Sequence, residues 1–270
     1  NALFAFILKL FRKKVILSID GTEFERDKWS WFMKKLVLAN AYLAVWSCKY
    51  IAIDNIFTKE LFEKKFKKKF DFISFGSEIK DVKQTDILDR LGLQKDDYFL
   101  FVGRFIPDKG LQYLIPAFEK LATTKKLVLV GGSPNPSEFE LEIRKTTDPR
   151  IMFAGFIYGD DTVTLMQNAY TYVQPSDIEG LSPVILSVMG LGTPLICSNI
   201  KENLYLVKED AVTFEKSNID SLRTVLEQSL SNREASLALA AKAKERVLKE
   251  YSWETITDQY IELFQKSITK

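Results

Sequence analysis

Apolar and polar residues alternate along the chain in blocks whose lengths switch between those of strands and those of helices. Short apolar runs rich in β-branched and aromatic residues stop at Gly, Asp or Asn, and amphipathic segments follow them. Strands are expected at Lys14 to Ile19, Tyr50 to Ile53, Phe70 to Phe75, Tyr98 to Gly103, Leu127 to Gly132, Ile151 to Phe153, Tyr170 to Val173 and Pro194 to Cys197, with a short one around Ala211 to Phe214. Between them the pattern predicts helices over 1–12, 30–47, 57–66, 110–121, 137–145, 162–168, 184–189, 219–231 and 234–250, and a last one starting at Ser252. Helix 30–47 is apolar nearly all round, which predicts packing on more than one side. In the last helix, Trp253, Ile256, Tyr260 and Phe264 share a face. Strand, helix, strand in regular succession predicts an α/β chain with parallel sheets.

The alternation is interrupted at Ser77 to Asp97, which is polar and charged, so a boundary is placed there. The expected organisation is a partial domain over 1–80, a second domain over 81–250, and a C-terminal helix, 251–270, packing back on the first. The first block holds too few βα units for a whole domain. It also opens on the apolar NALFAFIL without a Met, so the chain reads as a fragment with an incomplete N-terminal domain.

Composition narrows the chemistry. The 270 residues contain no histidine, which removes Ser-His-Asp and Cys-His catalysis and His-ligated metals. Cys48 and Cys197 sit in separate apolar segments and read as buried thiols in a reducing compartment, not as a disulfide or metal pair. No apolar run approaches the ~20 residues of a membrane span. The net charge of +2 hides an asymmetry: residues 1–80 carry 16 Lys and Arg against 9 Asp and Glu, and the remainder is acidic. A basic first part suits an anionic substrate or membrane surface, although the lysines of 64–69 equally suit a solvated helix end.

Candidate chemistry gathers at strand ends. In QPSDIEGLSPVILSVMGLGTP, residues 174–194, a buried strand breaks into a polar loop with Glu179 next to Gly180. A helix follows, starting near Gly180, Leu181 and Ser182. Free backbone N–H groups and a positive dipole end favour an anion there, while the carboxylate calls for an uncharged partner such as a sugar hydroxyl. Together they suggest a pocket for a phosphorylated sugar. Arg104 and Lys109, in VGRFIPDKG after another strand, supply a fork and a point charge suited to a diphosphate; taken alone they equally fit a charged surface turn.

These segments resemble a known family. VGRFIPDKGLQYLIPAF, LVLVGG, FAGFIYGDD, QPSDIEGLSPVIL with GLGTPLICS, and YSWETITDQYIELF are similar, in that order, to the signatures of the retaining family-4 glycosyltransferases of GT-B fold. The block DGTEFERDKW resembles a bacterial subgroup of rhamnosyltransferase-like enzymes of surface-polysaccharide assembly. The resemblance implies two Rossmann-like domains and transfer of a sugar from a nucleoside diphosphate to a hydroxyl with retention. It implies that Arg104 and Lys109 hold the diphosphate, that Gly180, Leu181 and Ser182 cap a phosphate, and that Glu179 touches the donor sugar. Phe156 and Ile157 would line the base, with Gly132 alongside the donor. Asp20, Glu23, Arg26, Lys28 and Asn55 become acceptor-side candidates, with Asp20 nearest the reacting centre, so that Glu179, Asp20, Arg104 and Lys109 form the catalytic set. No Asp-x-Asp occurs, so no metal requirement and no cofactor is expected. The expected partners are a nucleotide-sugar donor and a lipid-linked or saccharide acceptor, with no nucleic acid. The chain is expected in the cytoplasm, peripherally on an anionic membrane.

One position departs from the family pattern. The second acid of the Glu-x7-Glu motif, which generally holds the ribose, falls on Ser187. A shorter, uncharged hydroxyl weakens that clamp and leaves room for a second reading, a degenerate transferase that binds nucleotide sugar without turnover. Two further alternatives fit less well. A nucleotide-sugar epimerase leans on histidine, and a dinucleotide oxidoreductase needs a G-x-G-x-x-G that VGGSPNPS lacks.

Overall fold

The computed structural model describes residues 2–19, 21, 30–77 and 85–269. It resolves into two compact units, Asn1–Gly76 with Trp253–Lys270, and Ser77–Ser252.

In the first unit, β1 (Ile16–Ile19), β2 (Tyr50–Ile53) and β3 (Asp71–Phe72) form a parallel sheet in that order. Alternate residues of β2 feed two cores, as the strand period demands. Ile51 and Ile53 join Cys48, Phe62 and Phe70 with residues of α1 (Ala2–Leu10), α2 (Trp31–Ser47) and α3 (Ile56–Phe66). Ala52 on the opposite face joins Ile73 and, from the far end of the sequence, Ile256 and Leu263 of α12 (Trp253–Thr269). The end of α12 is tied down by two bonds to its backbone carbonyls, from Tyr50 Oη to Lys266 (2.8 Å) and from Lys14 Nζ to Ile268 (3.0 Å).

Three expectations for this unit are corrected. Helix α2 packs along one stripe, Val37, Leu38, Ala41 and Val45, and leaves Trp31, Phe32, Leu36 and Trp46 exposed. An all-round apolar sequence gives no phase, and among the described residues α1, one sheet face and Phe66 of α3 lie against it. In α12 the inward face is Ile256, Tyr260, Leu263 and Ser267, whereas Trp253 and Phe264 are about half exposed. The strand expected over 70–75 pairs only at Asp71 and Phe72.

The second unit is a six-stranded parallel sheet, ordered β6-β5-β4-β7-β8-β9. Its strands are β4 (Tyr98–Gly103), β5 (Lys126–Gly131), β6 (Ile151–Gly155), β7 (Thr171–Gln174), β8 (Leu195–Ser198) and β9 (Val212–Phe214). Tyr98, Phe99, Leu100 and Phe101 of β4 are all fully buried, as a central strand covered on both faces requires. Helices α5 (Leu111–Glu119), α6 (Glu138–Ile143), α7 (Asp160–Asn168), α8 (Pro183–Leu191), α10 (Ile219–Ser231) and α11 (Arg233–Glu250) follow the expected pattern. Two short helices, α4 (Ile87–Leu91) and α9 (Lys201–Val207), were not expected, because neither spans enough turns to show a period.

The strand order positions the site. The chain starts in the middle at β4, runs outward through β5 and β6, then returns to the free edge of β4 as β7. The loops leaving β4 and β7 set off in opposite directions from neighbouring strands, and it is at the carboxyl ends of the strands at such a switch that sheets of this kind bind ligands. Cys48 and Cys197 are both free and buried; burial raises both thiols, Cys197 to about 12. Among the described residues no helix is long and apolar enough to cross a membrane.

Candidate functional site

After β4 the chain exposes Arg104 and then buries Phe105 completely. A 3-10 turn, Pro107–Lys109, follows. Gly110 ends that turn at φ 74°, and a Cβ built on it would lie 1.9 Å from the Pro175 carbonyl oxygen. Only glycine permits so close an approach of the two loops. The Asp177 N–H donates to the Asp108 carbonyl at 2.9 Å and fastens them together.

The approach sets Lys109 Nζ 2.6 Å from Glu179 Oε1. Both side chains are largely buried, at 18% and 8% exposure, so the pair is poorly screened and costly to break from either side. Gln174, at the end of β7 and 3% exposed, donates its Nε2 to the same Glu179 oxygen at 2.6 Å and to Ser176 Oγ at 2.9 Å. The Tyr172 hydroxyl donates to Gln174 Oε1 at 2.8 Å. Burial raises the Tyr172 phenol far above its ordinary value, so it stays a donor. Asp177 is held by Tyr113 Oη (2.9 Å) and Ser217 Oγ (2.8 Å).

Helix α8 begins at Pro183, which fits the first helical position because it has no N–H to leave unpaired. Ser182 caps it, accepting from the Ile185 N–H at 3.4 Å. Among the described residues the N–H groups of Gly180, Leu181 and Ser182 have no acceptor, and Gly180 faces open space. Ser187 is turned to its own helix: its Oγ donates to the Pro183 carbonyl at 3.0 Å.

At the ends of β5 and β6, Gly132 and Phe156 are neighbours. A Cβ on Gly132 would lie 3.8 Å from Phe156 Cζ and 3.2 Å from Glu140 Oε1. Phe156 is half exposed and stacks on Tyr158, with ring centroids 6.1 Å apart. The Ile157 carbonyl accepts from Thr162 Oγ1 at 2.7 Å.

The second unit therefore carries Arg104, Lys109, Gly132, Phe156, Ile157, Glu179, Gly180, Leu181, Ser182 and Ser187 on or beside the loops leaving β4 to β7. It joins Lys109 to Glu179 directly. Arg104 has no ion-pair partner among the described residues. Asp20, Glu23, Arg26 and Lys28 lie outside the described residues. Asn55 is 8% exposed, and its Oδ1 caps α3 by accepting from the Phe57 and Thr58 N–H groups at 2.9 and 3.1 Å. Sequence reasoning missed Gln174 and Tyr172, which hydrogen-bond towards Glu179, because polar side chains inside strands carry no motif of their own. Among the described residues there is no group of three or more side chains that could hold a metal ion.

Residues 83–246 match the profile of the family described as Glycosyl transferases group 1. The chain belongs to that family. An uncharacterized glycosyltransferase of Methanocaldococcus jannaschii is 29% identical over 181 residues, covering 65% of this chain and 46% of that protein. The O-antigen chain mannosyltransferase B of Escherichia coli is 26% identical over 185 residues, covering 66% and 48%. The chain thus spans about half the length of these curated relatives. Among solved structures, Anabaena HepE in complex with UDP and glucose superposes with a TM-score of 0.85 at 18% identity, covering 98% of this group 1 chain and 75% of that one. The fold is GT-B, with parallel α/β units.

Proposed function

We propose that the chain transfers a sugar from a nucleoside diphosphate to a hydroxyl acceptor, with retention, in bacterial surface-polysaccharide assembly. The observation that carries this reading is the Lys109–Glu179 pair at the strand-order switch of a group 1 glycosyl transferase. Lys109 and the unpartnered Arg104 bind the diphosphate, and the free N–H groups of Gly180, Leu181 and Ser182 cap one phosphate. Glu179 accepts from a donor-sugar hydroxyl. The half-exposed Phe156 and Ile157 line the base beside Gly132. These groups meet the charge growing on the departing diphosphate, so no divalent cation and no cofactor is required. The acceptor attacks from the face the diphosphate leaves, and the leaving phosphate takes the acceptor proton. On the acceptor side Asp20, Glu23, Arg26 and Lys28 are the candidates, with Asn55 already committed through its oxygen to a helix cap.

A relative that is an O-antigen mannosyltransferase supports a saccharide or lipid-linked acceptor, and DGTEFERDKW favours a rhamnosyl donor. The basic first eighty residues favour peripheral contact with the cytoplasmic face of an anionic membrane. The test is turnover of UDP-glucose, GDP-mannose and dTDP-rhamnose with lipid-linked acceptors in EDTA, read by NMR of the product's anomeric carbon. Inversion, or binding of none of the three donors, overturns the reading. Phosphatidylglycerol vesicles that recover no more protein than phosphatidylcholine ones remove the membrane contact.

The second reading, binding without turnover, rests on Ser187, whose hydroxyl hydrogen is engaged by its own helix. Ser187→Glu restores a charged ribose acceptor. Isothermal titration should show nucleoside-diphosphate affinity improving about tenfold, or ~1.4 kcal/mol. An unchanged constant removes the ribose role of this position.

A further inference from the structure

We infer that Gln174, backed by Tyr172, is a positioning residue that presents Glu179 to the donor sugar with one carboxylate oxygen held and the other free. This rests on the donor-site reading above and adds residues that no motif contains. Lys109 Nζ and Gln174 Nε2 both donate to Oε1 of Glu179, each at 2.6 Å. Oε2 receives no donor among the described residues, and it is not sealed away from solvent. A carboxylate held at one oxygen by two donors cannot spin about its terminal torsion, so the free oxygen faces one direction. A free acceptor oxygen of that kind recognises a hydroxyl donor such as those of a sugar.

The amide's oxygen and nitrogen are nearly the same shape, and Glu179, which only accepts, decides that the nitrogen faces it. Tyr172, fully buried, backs the amide oxygen. Its hydroxyl oxygen accepts from the Val102 N–H at 3.4 Å, and its proton goes to Gln174 Oε1 at 2.8 Å, with the Val102 carbonyl as second acceptor at 3.1 Å. A flipped amide would set an acceptor oxygen 2.6 Å from a carboxylate oxygen. The chain Val102–Tyr172–Gln174–Glu179 links the middle of the sheet to the rim through largely buried groups, where such bonds are strong. The charged and titratable groups around it are Lys109 on the turn after β4, Tyr172 on β7, and Asp177 and Glu179 on the loop after β7.

The 270-residue chain is titrated with UDP, GDP and dTDP and with UDP-glucose, GDP-mannose and dTDP-rhamnose. Gln174→Met should weaken the sugar-bearing ligand about tenfold or more while moving the matching nucleoside diphosphate less than about threefold. Tyr172→Phe should give the same split at reduced size, and serves if the methionine variant fails to fold. Gln174→Glu adds a readout that a packing role would not move. Two carboxylates this close share one proton, so the sugar's contribution should survive at low pH and vanish as pH rises, with wild type flat over the same range. The inference is overturned if these variants weaken both ligand types in equal proportion, or keep the wild-type preference for the sugar-bearing ligand. If wild type binds none of the six ligands, the donor-site reading itself falls and this inference with it.

Discussion

Lys109→Met should raise the dissociation constant for a nucleoside diphosphate by about thirtyfold or more, roughly 2–5 kcal/mol. Two effects add. The ligand's diphosphate loses a cation, and Glu179, at 8% exposure and left without the countercharge 2.6 Å away, repels it. Arg104→Met should cost less, about 1–2 kcal/mol, because the exposed Arg104 balances no buried charge. Titration calorimetry of the two variants side by side measures both. Equal losses, or a weaker effect at Lys109, would show that Lys109 belongs to the fold and not to the ligand.

Gly110→Ala should destabilise the second unit by about 2–5 kcal/mol and lower its melting temperature by roughly 5–15 °C. The added carbon would sit 1.9 Å from the Pro175 carbonyl oxygen, against backbone that cannot swing aside, on a residue held at φ 74°. Gly92 is the control. It too has positive φ, 59°, but nothing lies within 4 Å of where its Cβ would be, so Gly92→Ala should cost only about 1 kcal/mol. Differential scanning calorimetry separates the two. Equal melting temperatures would mean that the loops after β4 and β7 can part without penalty.

Much of the second unit was legible because its strands are buried on both faces. A run such as YFLFVG between charged stretches leaves little alternative, and its observed ends match the reading to the residue. Arg104, Lys109 and Glu179 were legible as groups at strand ends. Their meeting was not, because it depends on β7 returning beside β4 instead of extending the sheet past β6. Gln174 was hidden for a related reason. In sequence it is one polar residue closing an apolar strand, and its role appears only once Glu179 folds back over it. The faces of α2 and α12 were misread because aromatic residues all round a helix, or spaced four apart along it, leave several phases open. What each helix met in the fold decided which one was buried.

The far-separated halves of the first unit bear on how the chain is made. Residues 77–252 form a unit of their own that can condense as soon as they emerge from the ribosome, whereas β2 waits for Ile256 and Leu263 to cover Ala52. At about 5–20 residues per second that delay lasts on the order of ten seconds or longer. Through it, β2 stands without the cover that α12 gives Ala52, at risk of sticking to other nascent chains until Ile256 and Leu263 arrive.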